Sequence, residues 1–73
     1  MEMPVNCHRR DELVAEVQSN LVRLAELARM EVTALESRNE DVWMDIDRQI
    51  ERTLGEKERS LGALKEHRSE HGC

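Results

Sequence analysis

The stretch ESRNED, residues 36–41, decides between the two helical folds that the rest of the chain permits. It lies between two long segments whose apolar residues recur every three or four positions, which is the spacing of an amphipathic helix. Ser37 and Glu40 have the spacing of a capping box, and Asn39 is a rival candidate for the helix N-cap. These polar residues predict a turn at about residues 37–40, and therefore two helices.

The first segment predicts a helix over about residues 7–36, and the second predicts one over about residues 40–70. The apolar stripe of the first helix comprises Val14, Val17, Leu21, Leu24, Ala28, Val32 and Leu35, with Leu13 and Leu27 on its flank. The stripe of the second comprises Trp43, Ile46, Ile50, Leu54, Leu61 and Leu64, and Lys57 interrupts it. We therefore expect an all-α fold, an antiparallel helical hairpin of two long amphipathic helices.

A single uninterrupted helix is the alternative, because residues 36–41 contain neither Gly nor Pro and the apolar stripe keeps its phase across them. Such a helix of about 65 residues, about 97 Å long, fits a coiled-coil dimer instead of a hairpin. The capping residues at the turn, the acidic start of the second helix and its basic end favour the hairpin.

The 73 residues form at most one domain, 1–73, and so short a chain buries a core worth only about 3–5 kcal/mol. A charged fraction of 37%, a single Trp and no Phe or Tyr favour helix over sheet. Two helices that face each other leave half of each apolar stripe open to water. We therefore expect the hairpin to dimerise into a four-helix bundle.

Charge and hydropathy limit the class of partner. Eleven basic and sixteen acidic residues give a net charge of -5 and are mixed along the chain, so no basic face forms and no nucleic acid is expected. No stretch approaches the roughly 18 apolar residues that cross a bilayer, so no membrane is expected and the cytoplasm is the expected location. The expected partner is a second copy of the chain, giving a homodimer, or another helical protein.

The segment EHRSEHGC, residues 66–73, carries candidate metal ligands. His67 and His71 are four residues apart, the spacing with which one helix face presents two imidazoles to zinc. A hairpin brings this end beside the start of the first helix, so Cys7, His67, His71 and Cys73 form the predicted zinc site. A disulfide between Cys7 and Cys73 and a solvated, frayed helix end are the alternatives.

The sequence HRSEH, residues 67–71, also matches the H-x-x-E-H pattern of inverted zinc peptidases. A peptidase needs a third protein ligand and a substrate cleft, which a hairpin of this length does not supply. The four serines have no evident base beside them, and no Gly-rich phosphate loop is present. We expect a non-catalytic interaction or scaffold module that acts through helix packing, with a zinc-binding regulator as the alternative.

Three features have two interpretations each. Trp43, the only aromatic residue, is either a packing anchor or a ligand-stacking group. Lys57 either extends from the edge of the core to water or fixes the register of the helices. Gly55, Gly62 and Ser69 form a track of small residues opposite the stripe, which suits either a closely approaching helix or a weakened solvent face.

Overall fold

The computed structural model describes residues 7–72, which form two α-helices joined by a short turn. Helix α1 spans Cys7–Glu36 and helix α2 spans Glu40–His71, one residue beyond the predicted end. The two helices pack against each other along the chain, which confirms the all-α helical hairpin and excludes the single long helix. Within these residues, neither helix contains a stretch that is apolar enough to cross a membrane.

Arg38 reverses the direction of the chain. Its φ of 58° lies in the left-handed region. The Arg38 amide donates to the Leu35 carbonyl and the Asn39 amide donates to the Ala34 carbonyl, both at 3.1 Å. This pair of bonds is the Schellman arrangement that ends a helix, in which the left-handed residue is usually glycine.

Asn39 begins α2 as its N-cap. Its backbone is extended, and its Oδ1 accepts a hydrogen bond from the Val42 amide at 3.4 Å. The predicted capping box of Ser37 and Glu40 is therefore wrong. Ser37 instead closes α1, because its hydroxyl donates to carbonyls of the last turn, including that of Thr33 at 3.2 Å.

The seam between the helices follows one heptad repeat in each helix, lettered a to g with a and d at the seam. In α1 the a and d positions are Arg10, Leu13, Val17, Asn20, Leu24, Leu27, Glu31 and Ala34. In α2 they are Trp43, Ile46, Ile50, Thr53, Lys57, Ser60, Leu64 and His67. Every buried residue of the described chain occupies a d position, so the d columns of the two helices form the centre of the hairpin.

The apolar core is small and lies near the turn. Leu27, which is only 1% exposed, clusters with Ala34 and Ile46, and Trp43 and Ile50 pack against this cluster. The position of Trp43 agrees with its interpretation as a packing anchor. Burial at so few apolar positions gives one hairpin a weak hydrophobic driving force.

The predicted stripe of α1 is placed wrongly with respect to α2. Leu21, Val32 and Leu35 remain 48%, 57% and 50% exposed, whereas the flanking residues Leu13 and Leu27 are buried. Helix α2 covers the d flank of the apolar surface of α1 because a neighbouring helix touches only one side of a wide stripe. The other flank stays open to water.

Toward the open end of the hairpin the seam becomes polar. Thr53, Ser60 and His67 are buried at successive d positions. Ser60 donates its hydroxyl to a carbonyl of its own helix at 3.0 Å and accepts a hydrogen bond from Nδ2 of Asn20 at 3.3 Å. This hydrogen bond connects α1 to α2 in the half of the seam that also contains the buried Leu13.

Lys57 and the two helical glycines lie at the edge of the seam or outside it. The Lys57 ammonium reaches the exposed Glu58 carboxylate at 3.2 Å, which agrees with a side chain that extends to water. A β-carbon at Gly62 would meet no atom of the described residues within 4 Å, and one at Gly55 would meet Arg59 Nη1 at 3.7 Å. In the part of the chain that the structure describes, therefore, the other helix does not approach Gly55 or Gly62 closely.

Replacing Arg38 by glycine should stabilise the hairpin. A residue with a β-carbon is strained in the left-handed region by about 1 kcal/mol, and glycine is not. We expect Arg38→Gly to increase the free energy of unfolding by about 1 kcal/mol, measured by urea unfolding and circular dichroism. Arg38→Ala is the matched control, because it removes the same charge but keeps the β-carbon. An equal gain in both variants would assign the effect to the arginine side chain and contradict the backbone explanation.

Candidate functional site

An apolar face runs along one side of the hairpin at heptad position e, next to the seam. We call this surface the side face, and it comprises Val14, Leu21, Ala28 and Leu35 of α1 with Leu54 and Leu61 of α2. Leu21, Leu35 and Leu54 are each at least 41% exposed. Val14 and Leu61 are half-buried, so the side face continues inward to the seam.

The e positions of both helices lie on one side of the seam because the g positions of both helices lie on the opposite side. There four g positions line one polar groove, namely Arg9 and Glu16 from α1 and Glu56 and Ala63 from α2. Arg23 and Gln49, also at g positions, hydrogen-bond across the helices at 3.3 Å. Because position e lies across the seam from position g in each helix, the e residues of α1 and α2 flank the seam on the other side.

The polar groove has a volume of about 430 Å³ and contains two arginines and two glutamates. Arg9 already pairs within its own helix, with Glu12 at 3.0 Å and Glu16 at 4.0 Å. The Ser60 hydroxyl at its floor donates to a backbone carbonyl. The two positive and two negative side chains balance, and the serine hydroxyl already donates to the backbone. Such a groove is typical of the solvated edge of a helix pair. Its residues are not arranged as a nucleophile with an adjacent base.

A pair of carboxyl groups joins the two helices near the turn. Glu31 of α1 and Asp47 of α2 hydrogen-bond to each other through their side chains. Loss of solvation, the negative charge of Asp47 and this hydrogen bond raise the pKa of Glu31 above its ordinary value of 4.5. A protonated Glu31 carboxyl can donate a hydrogen bond to Asp47, whereas an ionised Glu31 is repelled by the negative charge of Asp47.

Glu31→Gln should therefore stabilise the hairpin near neutral pH. The pKa of Glu31 is raised by folding, so the protonated form is the one that the folded chain favours. The contribution of Glu31 to stability is most favourable below its ordinary pKa of 4.5 and worsens as pH rises through the raised value. Glutamine keeps a hydrogen-bond donor and cannot ionise. The variant should unfold at a higher temperature than the natural chain at about pH 7 and at a similar temperature at about pH 3.

Glu26→Gln is the matched control for this experiment. It removes the same charge from an exposed position of the same helix. We expect no gain that grows with pH in this variant. An equal pH-dependent gain in both variants would assign the effect to the net charge of -5 and contradict a specific contact between Glu31 and Asp47.

The predicted zinc ligands belong to the open end of the hairpin, where α1 begins and α2 ends. Cys7 is the first residue of α1 and His71 is the last of α2, while His67 is buried at the seam. Cys73 and the side chains of Cys7 and His71 lie outside the described residues, so the zinc site and the Cys7–Cys73 disulfide stay predictions. Among the side chains that the structure does describe, no group of three or more His, Cys, Asp and Glu is placed to share a metal ion.

No family model matches the chain, and neither a curated protein nor a solved structure matches it. The surfaces of the hairpin itself are therefore the basis for a proposed function.

Sequence patterns missed two features of these surfaces. The buried polar residues Thr53, Ser60 and His67 follow Ile46 at intervals of seven, and this heptad spacing was the available signal. The contact between Glu31 and Asp47 had no signal in the sequence, because it joins different helices and depends on how they are aligned.

Proposed function

We propose that this protein is a non-catalytic interaction module that binds a helical partner through the side face. The observation that carries the proposal is a row of exposed leucines, Leu21, Leu35 and Leu54, aligned beside a seam that buries few apolar residues. Single exposed leucines are ordinary on protein surfaces, whereas an aligned apolar row on both helices is typical of a protein-binding surface.

The spacing of the side face suits a helical partner. Leu21, Ala28 and Leu35 are one heptad apart, and so are Leu54 and Leu61. Side chains at this interval present knobs that fit the holes of an adjacent helix. A partner helix laid along the side face would cover the open flank of both apolar stripes, which is the helix-in-groove mode of recognition.

The side face can be tested with aspartate at two of its exposed positions. Leu21→Asp and Leu54→Asp should cause the protein to elute as a free 8.5-kDa chain in size exclusion of a native cell extract, because a charge on this surface opposes its burial. Val22→Asp is the matched control. Val22 is 59% exposed at the adjoining residue but lies off the side face, so its substitution should leave the complex intact.

Circular dichroism of the purified variants separates loss of binding from loss of folding. Leu21 and Leu54 are more than 40% exposed within one hairpin, so aspartate there adds no buried charge to the seam. An elution position that all three variants share with the natural chain would contradict the proposal.

A zinc-binding regulator is the second candidate. What supports it is the ordered end of α2, where Gly72 has a φ of 70° and its amide donates to the Arg68 carbonyl at 2.9 Å. This cap maintains helix as far as His71, one turn beyond His67 and at the end of the hairpin where α1 begins. A capped helix end holds its backbone better than a frayed one, which favours ligand convergence.

Zinc added to the reduced protein should raise its unfolding temperature if Cys7, His67, His71 and Cys73 are the ligands. A ligand that prefers the folded chain stabilises it by mass action, and thiol ligands release protons on binding. His71→Ala should remove most of the gain, while Glu70→Ala, at the adjoining residue, should keep it. An unfolding curve that zinc does not shift would eliminate this candidate.

A further inference from the structure

We infer that the partner on the side face is a second copy of this chain, with α2 packed antiparallel to α2 of the other copy. This inference rests on the proposed function, because it names the occupant of the same surface. Two observations support it, namely the apolar side face and a charge pattern in α2. The resulting assembly is an antiparallel four-helix bundle with two-fold symmetry.

The charge pattern lies in the e column of α2, where Glu40, the first residue of the helix, is followed at intervals of seven by Asp47, Leu54, Leu61 and Arg68. From Asp47 onward the order is acidic, apolar, apolar, basic. When these last four residues are placed antiparallel to their copies, the acidic residue meets the basic one and the two leucines meet each other, while Glu40 extends beyond the paired part of the column. Asp47 of each chain then lies opposite the other chain's Arg68, and Leu54 lies opposite the other chain's Leu61, so this part of the column is complementary to itself.

The α1 part of the side face is compatible with the same two-fold axis. The e column of α1 contains Val14, Leu21, Ala28 and Leu35 at intervals of seven residues. All four are apolar, so this column adds apolar side chains to the contact between the two copies. The α1 columns thus provide apolar contact area, while the charged ends of the α2 columns select the alignment.

The exposed stripe of α1 provides an independent argument for a bundle. Its centre lies between the d column, which α2 covers, and the exposed residues Leu21, Val32 and Leu35. A helix in a two-helix pair needs a narrow a/d stripe, whereas a helix in a four-helix bundle needs a wider one because it touches two neighbours. The stripe of α1 has the wider form, and a second hairpin on the side face supplies the second neighbour.

A charge exchange tests the alignment in the purified protein. Asp47→Arg places two arginine pairs in each dimer, and Arg68→Glu places two carboxylate pairs there. Each single variant should weaken dimerisation by roughly tenfold or more at low ionic strength, measured by sedimentation equilibrium with a chelator present. The double variant restores opposite charges, so its dimerisation should return to near the natural strength.

Asp45→Arg is the matched control, because it makes the same charge change two residues earlier, where the carboxylate pairs with Gln49 Nε2 at 2.9 Å on the same helix. We expect this variant to dimerise like the natural chain. Folding of Asp47→Arg should not be impaired, since arginine there faces Glu31 as an opposite charge in place of a like one. Circular dichroism checks this point.

Each result decides one question. A dimer that both single variants weaken and the double variant restores supports the inference. A monomer at every concentration, an oligomer larger than two, or a dimer insensitive to the exchange overturns it. If the purified chain is monomeric while Leu21→Asp still disrupts the complex in the extract, the occupant is a different protein and the proposed function stands. If Leu21→Asp has no effect in the extract either, the proposed function fails as well.

Discussion

A helix can cover only one side of its neighbour, and this constraint governs the whole molecule. The apolar surface of each helix is wider than the strip that the other helix can cover. Within the hairpin, only residues of the d columns are fully buried. The turn fixes which column that is, because the left-handed Arg38 and the Asn39 cap set the direction in which α2 leaves α1. Both the size of the core and the exposure of the side face follow from that geometry.

The seam is divided along its length. The half near the turn buries Leu27, Ala34 and Ile46, while the half near the open end buries the polar residues Ser60 and His67 together with Leu13. Polar residues at seam positions lower stability, yet they penalise alignments in which they lose their partners. The bond from Asn20 to Ser60 therefore contributes more to the alignment of the helices than to the strength of their packing.

The hairpin and its turn were predictable because their signals are local. Polar residues between two periodic segments, with Asn39 able to cap, indicate a chain reversal without any knowledge of tertiary contacts. The choice between Ser37 and Asn39 as the cap was not predictable, since it depends on where α1 ends, and the left-handed Arg38 decides that. This left-handed position is usually occupied by glycine, so an arginine in the sequence did not indicate it.

The buried column of α1 could not be predicted for a different physical reason. Periodicity identifies an apolar surface, but the direction from which a neighbour covers that surface is a tertiary property. Leu13 and Leu27 therefore appeared to be flanking residues and proved to be the contact with α2. The stripe itself was real, and its exposed part became the side face, so the error in the core prediction located the candidate functional surface.

The small core also links folding to association. A single hairpin with apolar burial concentrated near its turn has little stability of its own, and any partner that binds only the folded hairpin adds to it by mass action. Under the proposed function, the side face thus serves both as the binding surface and as the missing part of the core. A polar substitution there lowers affinity and stability together, and the loss depends on partner concentration. A substitution at the d column, such as one at Leu27, lowers stability at every concentration.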